Sequence, residues 1–459
     1  MESAAMDNIR EVVSQASRKA GYADLYLQTG ASHSILFEDG RMDTLSSSEF
    51  DGLGARVIRG ENTVYSHRMG TSASDAAAAL SEALGDAGLD ALNHKIGGGE
   101  PLLKASAKVP PPDVSFFRGL DRKLRSECSF LRQVTLRLRT SVKSVLIVKG
   151  DGSIAKDRRE YTTFAVHVAL EADGALETGY EARSLLCGLD DFWRGGDAEE
   201  IAGKALYRGL LMLNASPCPA GSMMVLMDGT AGGTMIHEAC GHGLEADIIQ
   251  KDSSSFRGRI GEQVASPLVT LIDDATTPGM YGSYKFDDEG TPAQRTVLIS
   301  DGVLKSYMTD ILSSRIGNLP LTGNGRRESY QHQPMPRMSN TFVEPGESTF
   351  SEMLDGIGRG LLVRKMGGGE VNPTSGDFVF YVSEGYLIEK GKIGRAVKGA
   401  TLTGNGPEAL KGIVSVGREL VLDPGTCGKS AQSVPVTDGQ PTILINNLTV
   451  GGSDTGDDS

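Results

Sequence analysis

Two histidines and a glutamate within six residues form the part of this sequence best suited to chemistry. His237 and Glu238 are adjacent, and His242 follows after three further residues. Imidazole is a common metal ligand, and a carboxylate beside a metal-activated water can act as a general base. The alternative is a helix that carries two histidines for other reasons. The chain has only seven histidines, so this pattern would seldom arise by chance. We therefore favour a metal site.

If both histidines bind one ion, their spacing requires a backbone that departs from a regular α-helix. Residues five apart on a regular α-helix lie about 140° apart around its axis, so the two imidazoles could not share one ion. A π-type turn would bring them to the same side, and such turns are frequent at functional sites. Gly241 and Gly243 are the points where the backbone could loosen. The sequence therefore predicts a helix that begins near Thr234 and is distorted or ends at residues 241–243.

Beyond the motif, the sequence resembles the TldD/PmbA family of peptidases, long described as modulators of DNA gyrase. The active, TldD-type members carry His-Glu-x-x-x-His followed by Gly-Leu-Glu, as residues 237–245 do here, and the partner type, TldE or PmbA, lacks this motif. The resemblance runs from about residue 221 to about residue 452, and the N-terminal 200 residues match only loosely. Its densest segments are residues 287–292, 322–330, 334–338, 397–402, 427–429 and 447–452.

The resemblance implies a zinc peptidase of the HExxxH type that acts on unstructured peptides or small unfolded proteins. It implies Zn²⁺ ligands at His237, His242 and Cys427, with Glu238 as the general base toward a metal-activated water. It also implies a dimer, either with a TldE/PmbA-like paralogue or with a second copy of the same chain. The alternative function is a non-catalytic subunit that binds metal or peptide and regulates a partner. The intact His237-Glu238 pair argues against this alternative.

Two cysteines compete for the third ligand position. Cys240 is three residues after His237, so a purely local site on a regular helix would pair these two residues and exclude His242. Cys427 can join only through the tertiary fold. We choose Cys427 because the resemblance falls on it, because the glycines and proline around it predict a tight loop, and because both histidines can bind only if the helix is distorted. Lys429 is expected to help keep its thiolate ionised.

Further residues are candidates for a supporting role. Glu245, just after the motif, could orient a ligand imidazole or bind metal directly, and we prefer the first. Arg326 and Arg327 lie in a glycine-rich segment and could bind a peptide carboxylate or stabilise an oxyanion. His332 is a candidate for lining a pocket. The three adjacent acidic residues at 287–289 are expected to form a solvated turn rather than a second metal site.

Composition and charge restrict the class of protein. A hydrophobic content of 39% and a charged content of 23% are typical of a folded globular chain. The net charge of −13 argues against nucleic acid as the main partner, because phosphate binding needs a basic surface. No apolar run is long enough for a membrane helix, and residues 1–10 lack the features of a signal peptide. Five widely spaced cysteines suit a reducing compartment, so we expect a cytoplasmic protein.

The spacing of the apolar residues and the positions of glycine and proline predict an α+β fold. We expect an N-terminal α/β sandwich-like domain at residues 1–94 and a linker rich in glycine and proline at residues 95–112. A middle antiparallel α+β region should follow at residues 113–214, because its apolar residues alternate with a period of two. Residues 215–452 should form a β-rich C-terminal domain that carries the metal-binding helix. The acidic tail at residues 453–459 is expected to be disordered.

Overall fold

The computed structural model describes residues 2–90, 92, 100–104, 115–194, 196, 198–372 and 374–452. Most of the predicted linker at 95–112 and all of the predicted tail at 453–459 lie outside the described residues. The mixture of helices and strands, with a β-rich C-terminal half, confirms the predicted α+β class. Within the described ranges, no helix is both long enough and apolar enough to cross a membrane.

The first half of the chain forms one antiparallel sheet with helices packed on one of its faces. The strands are β1 Tyr22–Glu38, β2 Arg41–Arg59, β3 Asn62–Met69, β4 Leu131–Lys149, β5 Ile154–Ala172 and β6 Ala175–Leu185. The helices are α1 Glu2–Ala20, α2 Ala73–Asp86, α3 Ser115–Glu127, α4 Leu189–Arg194 and α5 Ala198–Asn214. The strand order is β3-β2-β1-β4-β5-β6, so β1 and β4 meet at the centre of the sheet.

Two hydrophobic clusters lie side by side on the same face of this sheet. Leu25 and Leu27 of β1 pack with α1 and α2, whereas Ile35 and Phe37 of the same strand pack with α3 and α5. Side chains two residues apart along a strand share a face, so β1 extends beneath both clusters. The units predicted at residues 1–94 and 113–214 thus contribute strands to one sheet. Their boundaries stay predictions.

The second half of the chain contains a six-stranded sheet, an eight-stranded sheet, a two-stranded sheet and several short helices. The strands are β7 Ser216–Pro217, β8 Gly221–Met227, β9 Leu271–Asp274, β10 Arg295–Ser300, β11 Val303–Leu304, β12 Gly325–Arg326, β13 Met335–Pro336, β14 Asn340–Val343, β15 Arg359–Val371, β16 Asp377–Glu389, β17 Lys392–Lys398, β18 Thr401–Asn405, β19 Ile413–Val416, β20 Val421–Lys429, β21 Gln432–Gln440 and β22 Ile443–Gly451. The helices are α6 Thr234–Ile236, α7 Ala246–Gln250, α8 Ile311–Gly317, α9 Phe350–Asp355 and α10 Gly406–Lys411.

The two larger of these sheets share one hydrophobic core. One sheet has the order β11-β10-β9-β14-β21-β20, and the other has the order β15-β8-β22-β18-β16-β17-β7, with β19 paired to β22. Val225 of β8 and Leu361 of β15 belong to the same buried cluster as Leu271 of β9 and Val434 of β21. Ile236, at the end of α6, lies in this cluster too. The predicted metal-binding helix is therefore anchored in the core that joins the two sheets.

The expectation of a solvated acidic turn at residues 287–289 is wrong, because all three side chains are buried. The turn packs against the face of the first sheet that carries no helices. There Arg56 of β2 donates to Glu289 at 2.5 Å, and Arg159 of β5 donates to Asp288 at 2.9 Å. Buried carboxylates need such partners. The partners come from the other half of the chain, so the local run of acids does not reveal them.

We predict that Arg56→Met lowers the free energy of unfolding by about 3–5 kcal/mol, because it leaves the buried carboxylates of Asp24 and Glu289 without their cation. Arg59→Met is the matched control, since it removes the same group from an exposed position on the same strand. The control should change stability by no more than about 0.5 kcal/mol. Denaturant unfolding followed by circular dichroism measures both variants, and equal losses would contradict this role for Arg56.

Candidate metal centre

The histidine motif forms a short helix that widens into a π turn. After α6, the π turn covers His237–Gly241, and a 3₁₀ turn covers His242–Leu244. The backbone N–H of His242 donates to the carbonyl oxygen of His237, five residues earlier, as in a π-helix. The two imidazoles consequently face each other edge to face, with their ring centroids 5.1 Å apart. The predicted distortion of the helix is confirmed.

Glycine is required beside the π turn for space rather than for flexibility. Gly241 has ordinary right-handed helical backbone angles, with φ −56° and ψ −52°. A Cβ atom at this position would lie 2.1 Å from the sulfur of Met338. On another side of the turn, a Cβ on Gly406 would lie 2.2 Å from the carbonyl oxygen of Ala239. The turn is thus held by close packing against its neighbours, which the sequence interpretation of Gly241 as a flexible point missed.

Three ligand-type atoms meet beside the π turn. Nε2 of His237 lies 3.2 Å from Sγ of Cys427, and Nε2 of His242 lies 3.4 Å from the same sulfur. The three atoms fall within 4.8 Å of one another, and all three residues are buried. The thiol of Cys240 is not part of this cluster, and burial raises its pKa. The structure therefore brings Cys427, and not Cys240, to the two imidazoles.

Cys427 lies within strand β20, which corrects the expectation of a tight loop. It pairs with Val434 of β21, and the strand backbone directs its sulfur toward the π turn. Arg337 supports this hairpin from within the core, where it is fully buried. Its Nη2 donates to the carbonyl oxygen of Cys427 at 2.6 Å, and its Nη1 donates to the carbonyl oxygen of Gln432 at 3.3 Å. Sequence reasoning gave no role to Arg337.

A carboxylate lies within hydrogen-bond distance of Nδ1 of each imidazole, the ring nitrogen that does not face Cys427. Nδ1 of His237 lies 2.6 Å from Asp438, and Nδ1 of His242 lies 2.9 Å from Glu245. When a carboxylate accepts the Nδ1 proton, Nε2 keeps its lone pair for a metal ion. Glu245 stands where the sequence analysis preferred it, against an imidazole. Asp438 was missed because it is 201 residues from His237 and no local spacing signals it.

The charges around the cluster favour a thiolate. Burial by itself raises the pKa of Cys427, but His237 and His242 lower it to about 5. Lys429 does not take the predicted part in this, because its ammonium group donates to Glu245 at 2.9 Å. Burial also opposes ionisation of Glu245, yet Lys429 and His242 lower its pKa to about 2. Lys429 thus stabilises the carboxylate that orients His242, rather than the thiolate.

Glu238 lies at the open edge of the cluster. Its Oε2 is 3.8 Å from Nε2 of His242, and about a third of its side chain is exposed. It is therefore close to the potential ligand atoms while remaining accessible to water. A carboxylate in this position can accept a proton from a water molecule beside the cluster.

The remaining predicted residues lie elsewhere. Arg326 and Arg327 are both buried. Nη1 of Arg326 donates to the carbonyl oxygen of Met338, and Nη2 of Arg327 donates to the backbone carbonyl oxygen of Asp288. Nδ1 of His332 lies 2.9 Å from Oγ of Ser329. Among the described residues, no hydrogen bond or ion pair connects Arg326, Arg327 or His332 to the three-ligand cluster.

Comparisons with known proteins find similarity to the same group of proteins along most of the chain. Residues 220–452 match the PmbA/TldA metallopeptidase C-terminal domain, and residues 23–87 match the PmbA/TldA metallopeptidase domain 1. A metalloprotease TldD homolog from Haemophilus influenzae is 39% identical over 97% of this chain and 95% of its own length. A zinc metalloprotease TldD homolog from Saccharolobus solfataricus is 29% identical over 66% of this chain and 67% of its own length. The crystal structure of TldE from Thermococcus kodakarensis shares the fold, with a TM-score of 0.74 at 17% identity over 98% of this chain and 100% of that chain.

Proposed function

Because this chain belongs to the PmbA/TldD metallopeptidase family, we propose that it is a zinc-dependent peptidase that hydrolyses unstructured peptides or small unfolded proteins. The observation that carries this proposal is the meeting of three ligand atoms, from His237, His242 and Cys427, next to the solvent-open carboxylate of Glu238. The resemblance of residues 221–452 to the TldD-type peptidases supports the substrate class.

The donor set suits zinc. Two imidazole nitrogens and one thiolate form a combination that Zn²⁺ accepts, and three protein ligands leave one coordination position open in a catalytic site. The imidazoles are already oriented by Asp438 and Glu245, so their Nε2 atoms point toward Sγ of Cys427. The name of the Saccharolobus solfataricus relative, a zinc metalloprotease, supports the same metal.

Glu238 is the proposed proton carrier. A bound zinc ion would polarise the peptide carbonyl and make a nearby water more acidic. Glu238 accepts the proton that this water loses on attacking the carbonyl, and it returns the proton to the leaving amine. Its partial exposure lets water and peptide reach it, while the buried positions of His237 and His242 keep the imidazoles fixed. Asp438 and Glu245 act only by holding the imidazoles.

The second candidate is a subunit that binds metal or peptide without cleaving it. It shares the metal cluster with the first candidate and differs only in the role of Glu238. The position of this carboxylate, 3.8 Å from Nε2 of His242 and open to solvent, favours catalysis.

We further propose that the chain works as a dimer, either with a TldE-like subunit or with a second copy of itself. The likeness of its fold to TldE over almost the whole chain supports a partnership between similar subunits. Light scattering on the purified chain, alone and mixed with a TldE-like paralogue, tests this. A monomer under both conditions would contradict the proposal, and a dimer only in the mixture would identify the heterodimer.

The proposed compartment is the cytoplasm. A metal-binding Cys427 must stay reduced, and none of the five cysteines, all of which lie in the described ranges, forms a disulfide bond. A reducing compartment meets this requirement. Fractionation of cells that produce the protein would test the assignment, and recovery from an oxidising compartment would contradict it.

Glu238→Gln should retain zinc but lower the rate of casein cleavage by about 10²–10⁴-fold, because it removes the general base without removing a ligand. Glu61→Gln is the matched control, since it makes the same change at an exposed turn on the first sheet. Metal analysis and cleavage of unfolded casein are measured on the same preparations. Retained zinc together with unchanged cleavage in Glu238→Gln would overturn the mechanism.

Cys427→Ser should lose both zinc and peptidase activity, because it removes the thiolate that faces both Nε2 atoms. Cys240→Ala should keep most of both, because the thiol of Cys240 is not among the three clustered ligand atoms. Zinc content per chain and cleavage rate are compared for the two variants. The opposite pattern, with metal lost from Cys240→Ala and kept in Cys427→Ser, would show that the site is local to the helix.

A further inference from the structure

The hairpin that carries Cys427 also forms one wall of a separate cleft. Thr426 and Cys427 are successive residues of β20, so their side chains point to opposite faces of the hairpin. Thr426 lines a cavity of about 520 Å³ between the hairpin and the first sheet. A neighbouring cavity of about 530 Å³ shares Arg139, Thr163, Tyr281 and Thr426 with it. The two form one cleft, each part of which has the size of a small-ligand pocket.

Positively charged side chains outnumber negatively charged ones around the first cavity, although the whole chain has a net charge of −13. The charged residues that line it are the cations Arg139, Lys143, Arg159, Arg326 and Arg327 and the acids Asp288 and Glu328. Asp288 is fully engaged, because Arg159 donates to its Oδ1 and the backbone N–H of Arg327 donates to its Oδ2. The carboxylate of Glu328 accepts from the backbone N–H of Ser433. The cations around this cavity therefore outnumber the carboxylates.

Two buried arginines in this wall have no carboxylate partner. The guanidinium of Arg326 donates to the carbonyl oxygen of Met338 and lies over the ring of Tyr284. The guanidinium of Arg327 donates to the hydroxyl of Tyr65 and to the backbone carbonyl of Asp288. In the part of the chain that the structure describes, no carboxylate oxygen lies within 4.0 Å of either guanidinium, and both Nε atoms lack an acceptor. A buried charge without a counter-charge is costly, so the arrangement suits a bound anion.

Lys143 adds a third cation to the same wall. Its Nζ donates to the carbonyl oxygen of Glu328, directly after Arg327 in the chain. Burial lowers the pKa of Lys143 to about 8 even though the carboxylate of Asp288 is near. The neighbouring guanidiniums, including that of Arg327, add to this lowering because they repel another positive charge. An anion bound here would relieve that repulsion.

We propose that Lys143, Arg326 and Arg327 bind the terminal carboxylate of a peptide in this cleft, at a site separate from the metal centre. Guanidinium groups match a carboxylate in shape and can donate two parallel hydrogen bonds to it. The apolar walls contributed by Phe50, Tyr281 and Pro435 can accept peptide side chains. The choice of a peptide as the ligand rests on the proposed peptidase function, whereas binding at this site does not require the metal.

The test compares two fluorescent peptides, dansyl-tetraalanine with a free C-terminal carboxylate and the same peptide with a C-terminal amide. Binding to the full chain is followed by fluorescence anisotropy, with and without a chelator. We expect the acid to bind roughly tenfold or more tightly than the amide, because hydrogen bonds to a charged group are lost in the amide. Equal binding of the two peptides would overturn the proposal. Inorganic phosphate that competes as strongly as the peptide acid would overturn the choice of a carboxylate.

Variants distinguish the cleft from the metal centre. Lys143→Met should lose most of the preference for the acid; it is used because substitution of the fully buried Arg326 could unfold the chain. Arg41→Met is the control, since it removes an exposed cation from the same sheet outside the cleft. Cys427→Ser, or the chelator, should leave the preference unchanged. If the preference survives in Lys143→Met but disappears in Cys427→Ser, the carboxylate binds at the metal. If the unmodified chain prefers the peptide acid as expected but cleaves no peptide, only the proposed peptidase function fails.

Discussion

One backbone hydrogen bond, from the N–H of His242 to the carbonyl oxygen of His237, determines whether the candidate metal centre can exist. With the ordinary four-residue bond, the two imidazoles would diverge around the helix and Cys427 could meet only one of them. The wider turn is unusual and is held in place from outside by packing that leaves no room for a Cβ on Gly241 or Gly406. The geometry of the site therefore belongs to its surroundings as much as to the motif.

A single hairpin supplies groups to both nitrogens of His237. Cys427 lies on β20 and Asp438 on β21, and the register of the hairpin puts both on the face toward the π turn. The thiolate meets Nε2 while the carboxylate meets Nδ1. Because side chains alternate along each strand, a shift of the register by one residue would turn one of these groups away from the imidazole. Arg337, which donates to backbone carbonyls of both strands, helps to hold that register.

The parts of the site that were predictable from sequence are those encoded in a short stretch. The five-residue spacing of His237 and His242 led to the π turn, and alternating apolar residues led to antiparallel strands. Asp438 and the burial of residues 287–289 were not predictable in this way. The partner of Asp438 is His237, 201 residues away in the chain. The partners of residues 287–289 lie in distant strands, and local composition there, read alone, favours a solvent-exposed turn. Cys427 was found through family resemblance, yet its strand was mistaken for a loop because of its glycines and proline.

The central position of β1 and β4 in the first sheet has a consequence for the order in which the chain folds. β1 can pair with β2, and β2 with β3, as soon as these strands are made, because short turns join the three in sequence. Its other edge must wait for β4, which begins about ninety residues after β1 ends. At a synthesis rate of ~5–20 residues per second, that edge stays unpaired for roughly 5–20 s. An open strand edge of this length invites pairing with other chains, so the nascent protein passes through an aggregation-prone stage that the finished fold conceals.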